Sequence, residues 1–114
     1  MGFREHAALQ VDGSTVVVDA VDEHLNPHGT VHGGLLATML DVAMGEAVAE
    51  AGGERPVTVA LTVTYLEPGR AGRLEATARV RKRGKRLLIV EGEVTQDGDV
   101  LADALGTFSV PAQD

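Results

Sequence analysis

From Leu35 to Ala51 the chain runs without a proline through leucine, alanine, methionine and valine, and Gly52-Gly53 then closes the run. Helix formers stopped by glycine predict one long helix. On a wheel of about 100° per residue, Leu36, Leu40, Met44, Ala47, Val48 and Ala51 fill one broad arc. Leu35, Met39, Val42, Ala43 and Ala49 spread over much of the remainder. A helix apolar almost all round has to be buried, and the natural burial is inside a curved antiparallel sheet wrapped around it.

The rest of the sequence supplies that sheet. "ALQVDGSTVVVDA" reads as a hairpin turning at Asp12-Gly13. After the helix, "PVTVALTVTYLEP", "RLEATARVRKR", "KRLLIVEGEVTQ" and "DVLADALGTFSV" alternate or cluster branched residues, with breaks at Pro68-Gly69, Gly84 and Asp97-Gly98. Four consecutive antiparallel strands are predicted, and the fold class is α+β. With no repeat, low-complexity tract or linker, residues 1–114 form a single domain. A chain of this size buries only about two thirds of its unfolded surface, so self-association would help it.

Composition narrows the function. Apolar residues are 44% and charged residues 24%, the profile of a globular protein. No apolar stretch is long enough to span a bilayer, and "MGFREHAALQ" lacks the apolar region of a signal peptide, so no membrane partner and a cytoplasmic location are expected. The absence of cysteine removes thiolate catalysis and thiolate metal sites. His24, His28 and His32 recur every four residues, but Pro27 and Gly29 break any helix that would align them, and no metal is expected. Ser14 and Ser109, the only serines, lie outside a Gly-x-Ser-x-Gly elbow.

Charge is unevenly spread. Although the formal net charge is -7, Arg70, Arg73, Arg79, Arg81, Lys82, Arg83, Lys85 and Arg86 hold eight of the ten basic positions. This patch reads either as a solvated hairpin face or as a site for a specific anion. Nucleic acid is disfavoured, because the window has no aromatic to stack a base.

One carboxylate stands out. Asp41 lies at the edge of the helix's apolar arc beside Ala37, Gly45 and Val48, whereas Glu46 and Glu50 lie on the far side. A carboxylate among small apolar neighbours needs hydrogen bonds or a function. An aspartate bonded to Thr38 or nearby backbone, and a catalytic base, both fit. Before the helix, "NPHGTVHGG" turns sharply, and the open amides of a first helical turn favour negative charge. The segment therefore offers an amide at Gly33, a polar side chain at Asn26 and a carboxylate further along, which are parts carbonyl chemistry uses.

At "NPHGTVHGGLLATMLD" the chain resembles the hot-dog fold acyl-CoA thioesterases of the phenylacetate-degradation, PaaI-like, family. The shared pattern is Asn-x-x-Gly-x-x-His-Gly-Gly with an acid seven residues after the second glycine, and the likeness continues through "PVTVALTVTYLEPGRAG" and "RKRGKR". The resemblance implies a hot-dog fold, a curved antiparallel sheet around one long central helix, with active sites at a homodimer interface and often a dimer of dimers. It implies Asp41 as general base or nucleophile, the Gly33 amide as oxyanion donor, and Asn26 orienting water or substrate. His32 would shape the loop near the thioester, and Thr58 would assist the attacking water. Gly34 would allow close approach, and the turn of Arg83, Gly84, Lys85 and Arg86 would clamp the phosphates of coenzyme A. The implied reaction is hydrolysis of an aryl or short- to medium-chain acyl-CoA, without a cofactor. Two other readings are a non-catalytic acyl-CoA sensor or carrier, which would not require Asp41, and an acyl-thioester dehydratase or hydratase, which would favour a catalytic histidine such as His32.

Overall fold

The computed structural model describes residues 2–111. A short helix α1 (Phe3–His6) leads into strands β1 (Gln10–Asp12) and β2 (Thr15–Ala20). A 3-10 turn (Asp22–His24) precedes the long helix α2 (Gly33–Glu50). Strands β3 (Val57–Tyr65), β4 (Gly72–Arg83), β5 (Leu87–Gln96) and β6 (Asp99–Ser109) follow. All six strands form one antiparallel sheet in the order β1-β2-β4-β5-β6-β3. The α+β class and the hot-dog arrangement agree with the sequence reading.

Four details differ from it. Asp12 pairs with Thr15, so the first turn is Gly13-Ser14, one residue later than Asp12-Gly13. Of the four strands after the helix, β4, β5 and β6 are neighbours in chain order, but β3 is not beside β4: it pairs with β6 at the sheet edge, while β4 pairs with β2 and β5. The chain between β3 and β4 is not a tight hairpin but a crossing segment. It is fastened to the helix entry where the Val31 N–H donates to the Gly69 carbonyl at 2.9 Å. The helix also begins two residues before Leu35, with both glycines already helical.

The fourth detail concerns burial. Leu36, Met39, Leu40, Ala43, Met44, Ala47 and Val48 are fully enclosed against the sheet. Met39 and Ala43 thus belong to the inner arc, and the outward one retains half-buried Leu35 and Val42 and exposed Ala49. One curved sheet covers one side of a helix and leaves the other open. Close seating depends on glycine: a Cβ on Gly92 would lie 3.3 Å from Leu40, and one on Gly106 3.2 Å from the Met44 sulfur. The edge strand β3 also leaves apolar side chains in water, with Val59 at 59% exposure. No helix among the described residues is long and apolar enough to cross a membrane.

Candidate active site

The loop into α2 is closed by one side chain. Asn26 accepts the amides of His28 (2.9 Å) and Thr30 (3.2 Å) on Oδ1, and its Nδ2 donates to the Thr30 hydroxyl at 2.7 Å. Its backbone N–H bonds the Thr30 carbonyl at 2.7 Å. Asparagine at such a turn competes well for local backbone donors. In a single chain the Asn26 side chain therefore organises its own loop, and no hydrogen bond joins it to Asp41. Among the described hydrogen bonds, His24 Nδ1 accepts the Val21 amide at 2.9 Å, whereas the exposed His32 side chain makes none. The described residues contain no group of three acids or histidines placed to hold a metal ion.

His32 occupies the position before the first turn of α2 without capping it through its side chain. The first bond across the entry is Leu35 N–H to the His32 carbonyl at 3.0 Å. The amides of Gly33 and Gly34 precede that bond and have no acceptor among the described residues, so they remain available at the positive end of the helix. Beside them lies a cavity of about 310 Å³ lined by Val31, Gly33, Leu36, Tyr65, Leu66, Glu67, Pro68 and Gly69. Tyr65, which the sequence reading passed over, donates its hydroxyl to the Gly33 carbonyl at 2.8 Å.

Two turns along the helix, half-buried Asp41 meets β3. The Thr58 hydroxyl donates to Asp41 Oδ1 at 2.6 Å. Simple alternation would put Thr58 on the outer face of the sheet with Thr62 and Thr64, which line a groove there with Arg79, Arg81 and Glu91. A bulge prevents this. Thr58 pairs with Phe108 and Ala60 with the adjacent Thr107, leaving Val59 as the extra residue. One inserted residue reverses the facing of everything before it, so Thr58 joins Leu61 and Val63 on the helix side. Of the two readings open for Asp41, bonding to Thr38 is not observed, because Thr38 donates to the Gly34 carbonyl at 2.9 Å.

The basic window divides in two. Arg70 pairs with Asp97, Arg73 with Glu75 and Arg79 with Glu91, so half of the patch's length is an ordinary surface ion-pair row. Arg81, Lys82, Arg83, Lys85 and Arg86 form no ion pair among the described residues. Arg83, Gly84, Lys85 and Arg86 border a groove of about 670 Å³ with Gly53, Leu88 and Val110. The groove sits at the C-terminal end of α2, where the Arg83 guanidinium lies 3.4 Å from the space a Cβ on Gly52 would fill. A cation there also complements the helix dipole.

One chain thus holds three separate parts: open amides with a cavity at one end of α2, the Asp41–Thr58 pair midway, and a cationic groove at the other end. It does not bring Gly33 to Asp41, since eight helical residues separate them by about 12 Å.

The chain is similar to known proteins of one family. Residues 28–102 match the thioesterase superfamily. A candidate esterase of Pseudomonas aeruginosa is 39% identical over 101 residues, 84% of this chain and 75% of that protein. The acyl-coenzyme A thioesterase PaaI of Escherichia coli is 35% identical over 82 residues, 71% of this chain and 58% of that protein, so the chain spans little more than half of that relative. A Bacillus halodurans protein crystallised with CoA superposes with a TM-score of 0.87 at 34% identity, covering 95% of this chain and 74% of the other. The helix entry, the sheet order and these likenesses place the chain in the thioesterase superfamily, as a PaaI-like thioester hydrolase of the hot-dog fold.

Proposed function

We propose that this thioester hydrolase cleaves CoA thioesters of aryl or short- to medium-chain acids, with Asp41 activating the attacking water. The observation that carries the reading is the Thr58–Asp41 hydrogen bond, made possible by the bulge at Val59. It aims a half-buried carboxylate while leaving its second oxygen without a hydrogen-bond partner among the described residues. Water loses its proton to Asp41 as it attacks the thioester carbon, and the carbonyl oxygen, now negative, is met by the Gly33 amide and the positive end of a helix. The CoA thiolate then leaves. A thiol with an ordinary pKa of about 8.5 is a good leaving group, so the chemistry calls for no strong general acid, metal or organic cofactor.

The site is completed by a second copy of the chain. The half-exposed Leu35 and Val42 on α2 and the open edge of β3 are apolar surfaces that self-association would cover. With two α2 helices antiparallel across a two-fold axis, Asp41 of one chain faces the partner's Gly33. Glu50, the last residue of α2 before the cationic groove, is nine residues beyond Asp41, about 14 Å along the helix, so the extended CoA arm runs along the chain that supplies the carboxylate. Tetramer formation would follow as a pairing of such dimers. A dehydratase reading has less support, because His32 is exposed and without a carboxylate partner; a carrier reading leaves the aimed Asp41 without a purpose.

Release of free thiol from acetyl-, hexanoyl-, benzoyl- and phenylacetyl-CoA tests the reaction. The apolar walls of the cavity at Gly33 favour a larger acyl group, so aryl and medium-chain thioesters are expected to turn over faster than acetyl-CoA. No thiol release from any of them would overturn the hydrolase assignment; acetyl-CoA turning over as efficiently as the larger substrates would overturn the substrate class alone. For the phosphates, replacing Lys85 and Arg86 together by alanine is expected to raise KM about tenfold or more at low salt, with kcat little changed and the difference shrinking as salt is added. Unaltered KM in steady-state assays at two ionic strengths would place the clamp elsewhere.

A further inference from the structure

We propose that Tyr65 is a positioning residue for the oxyanion donors, holding and polarising the first peptide unit of α2. The inference rests on the thioesterase reading above and adds a residue to its machinery. Tyr65 is the last residue of β3, in register with Ala102, and the alternation that brings Leu61 and Val63 to the helix side brings its side chain there too. Its hydroxyl donates to the Gly33 carbonyl at 2.8 Å. A Cβ on Gly33 would lie 3.2 Å from the Tyr65 ring, so the ring sits directly over the glycine. A side chain at Gly33 would press on the ring and push it aside by a few tenths of an ångström.

The Gly33 carbonyl and the Gly34 N–H belong to one peptide unit. A hydrogen bond donated to the carbonyl draws electron density toward its oxygen and makes the Gly34 N–H a stronger donor, a second donor beside the Gly33 N–H, which lies in the preceding peptide unit and gains only a fixed orientation from the bond. The bond also fixes the plane of that unit. Its rotation is the motion that would swing the adjacent amides away from a bound carbonyl, and glycine offers little resistance to such rotation. Two glycines in succession give close access to the backbone at the cost of stiffness, and the tyrosine restores the stiffness from a different element. The same ring borders the 310 Å³ cavity at the helix end, so the clamped peptide faces the space in which an acyl group would lie.

The discriminating variant is Tyr65→Phe, which keeps the ring and removes only the hydroxyl. Expected is a loss in kcat of about tenfold, with KM within a factor of two or so and the thermal midpoint close to that of the parent. The loss is expected to be the same fold for acetyl-, hexanoyl- and benzoyl-CoA, because every thioester develops the same oxyanion. Tyr65→Leu, which removes ring and hydroxyl, adds a KM effect that grows with acyl size. If the parent hydrolyses the panel and Tyr65→Phe matches it, the positioning role is overturned and the thioesterase reading stands. A kcat loss that varies with acyl size, or one tracking a fall in thermal midpoint, assigns Tyr65 to packing and equally overturns the proposal. A parent that hydrolyses none of the panel removes the underlying reading, and the proposal falls with it.

Discussion

Asp41→Asn is expected to lower kcat by about 10²- to 10⁴-fold, the usual range for removing a general base, with the fold intact. The asparagine is nearly isosteric, and its Oδ1 can still accept the Thr58 hydroxyl that now bonds the carboxylate at 2.6 Å. What disappears is the ability to take a proton or to attack. Thr58 separates aim from chemistry: Thr58→Val keeps the shape and leaves Asp41 without its donor. A hydrogen bond to a charged group is worth about 1.5–3 kcal/mol, so a roughly tenfold or greater loss is expected, with Thr58→Ser restoring most of it. Thiol-release kinetics alongside thermal unfolding decide the matter. Asp41→Asn retaining more than a tenth of parental kcat would remove Asp41 from the chemistry, and full activity of Thr58→Val would make the 2.6 Å bond structural.

Why Asp41 was visible in the sequence and its support was not is a matter of range. The helix could be read because its signals are local: a proline-free apolar run, a glycine stop, and an acid at the edge of the arc. The strands could be read segment by segment for the same reason. Their order could not, because β3 finds β6 across more than thirty residues, and nothing within β3 names its partner. The inward facing of Thr58 was hidden by the bulge, since strict alternation in "VTVALTVTY" puts it with Thr62 and Thr64. Resemblance had pointed to the residue without supplying the geometry. Tyr65 carried no local mark at all; its role depends on meeting Gly33 from the far end of another element. Asn26 is the opposite case. The order Asn-Pro-His-Gly-Thr contains a turn signal that would have identified its side chain as the closure of its own loop. The outer arc of α2 was read as buried because the wheel weighs polarity, not the extent of the sheet, and one chain's sheet covers only one side.

That uncovered arc leads to the second large effect: two inactive variants are expected to restore activity when mixed. Within one chain the Gly33 amide and Asp41 stand about 12 Å apart along α2, while a carbonyl roughly 3 Å from its oxyanion donor needs the attacking atom about 3–3.5 Å from its carbon. A rigid helix cannot shorten that span. An antiparallel pairing of two α2 helices about a two-fold axis near Ala37, midway between Gly33 and Asp41, can bring the parts together, and alanine there permits close approach. Asp41→Asn removes the base. Asn26→Ala removes both bonds from His28 and Thr30 to Oδ1 and the bond to the Thr30 hydroxyl, loosening the loop that sets the entry of α2 on the Gly33 side. Each homodimer then has two impaired sites. After mixing, unfolding and refolding in equal amounts, random pairing makes about half of the dimers mixed, each with one intact site and one doubly altered site, so activity is expected to rise to roughly a quarter of the parent's. The rise depends on the altered groups belonging to different chains at a shared site. Well-folded mixtures with subunit exchange verified by mass, and with no more activity than the separate variants, would show that the Asn26 loop and Asp41 serve the same site from one chain, and the two-chain active site would have to be abandoned.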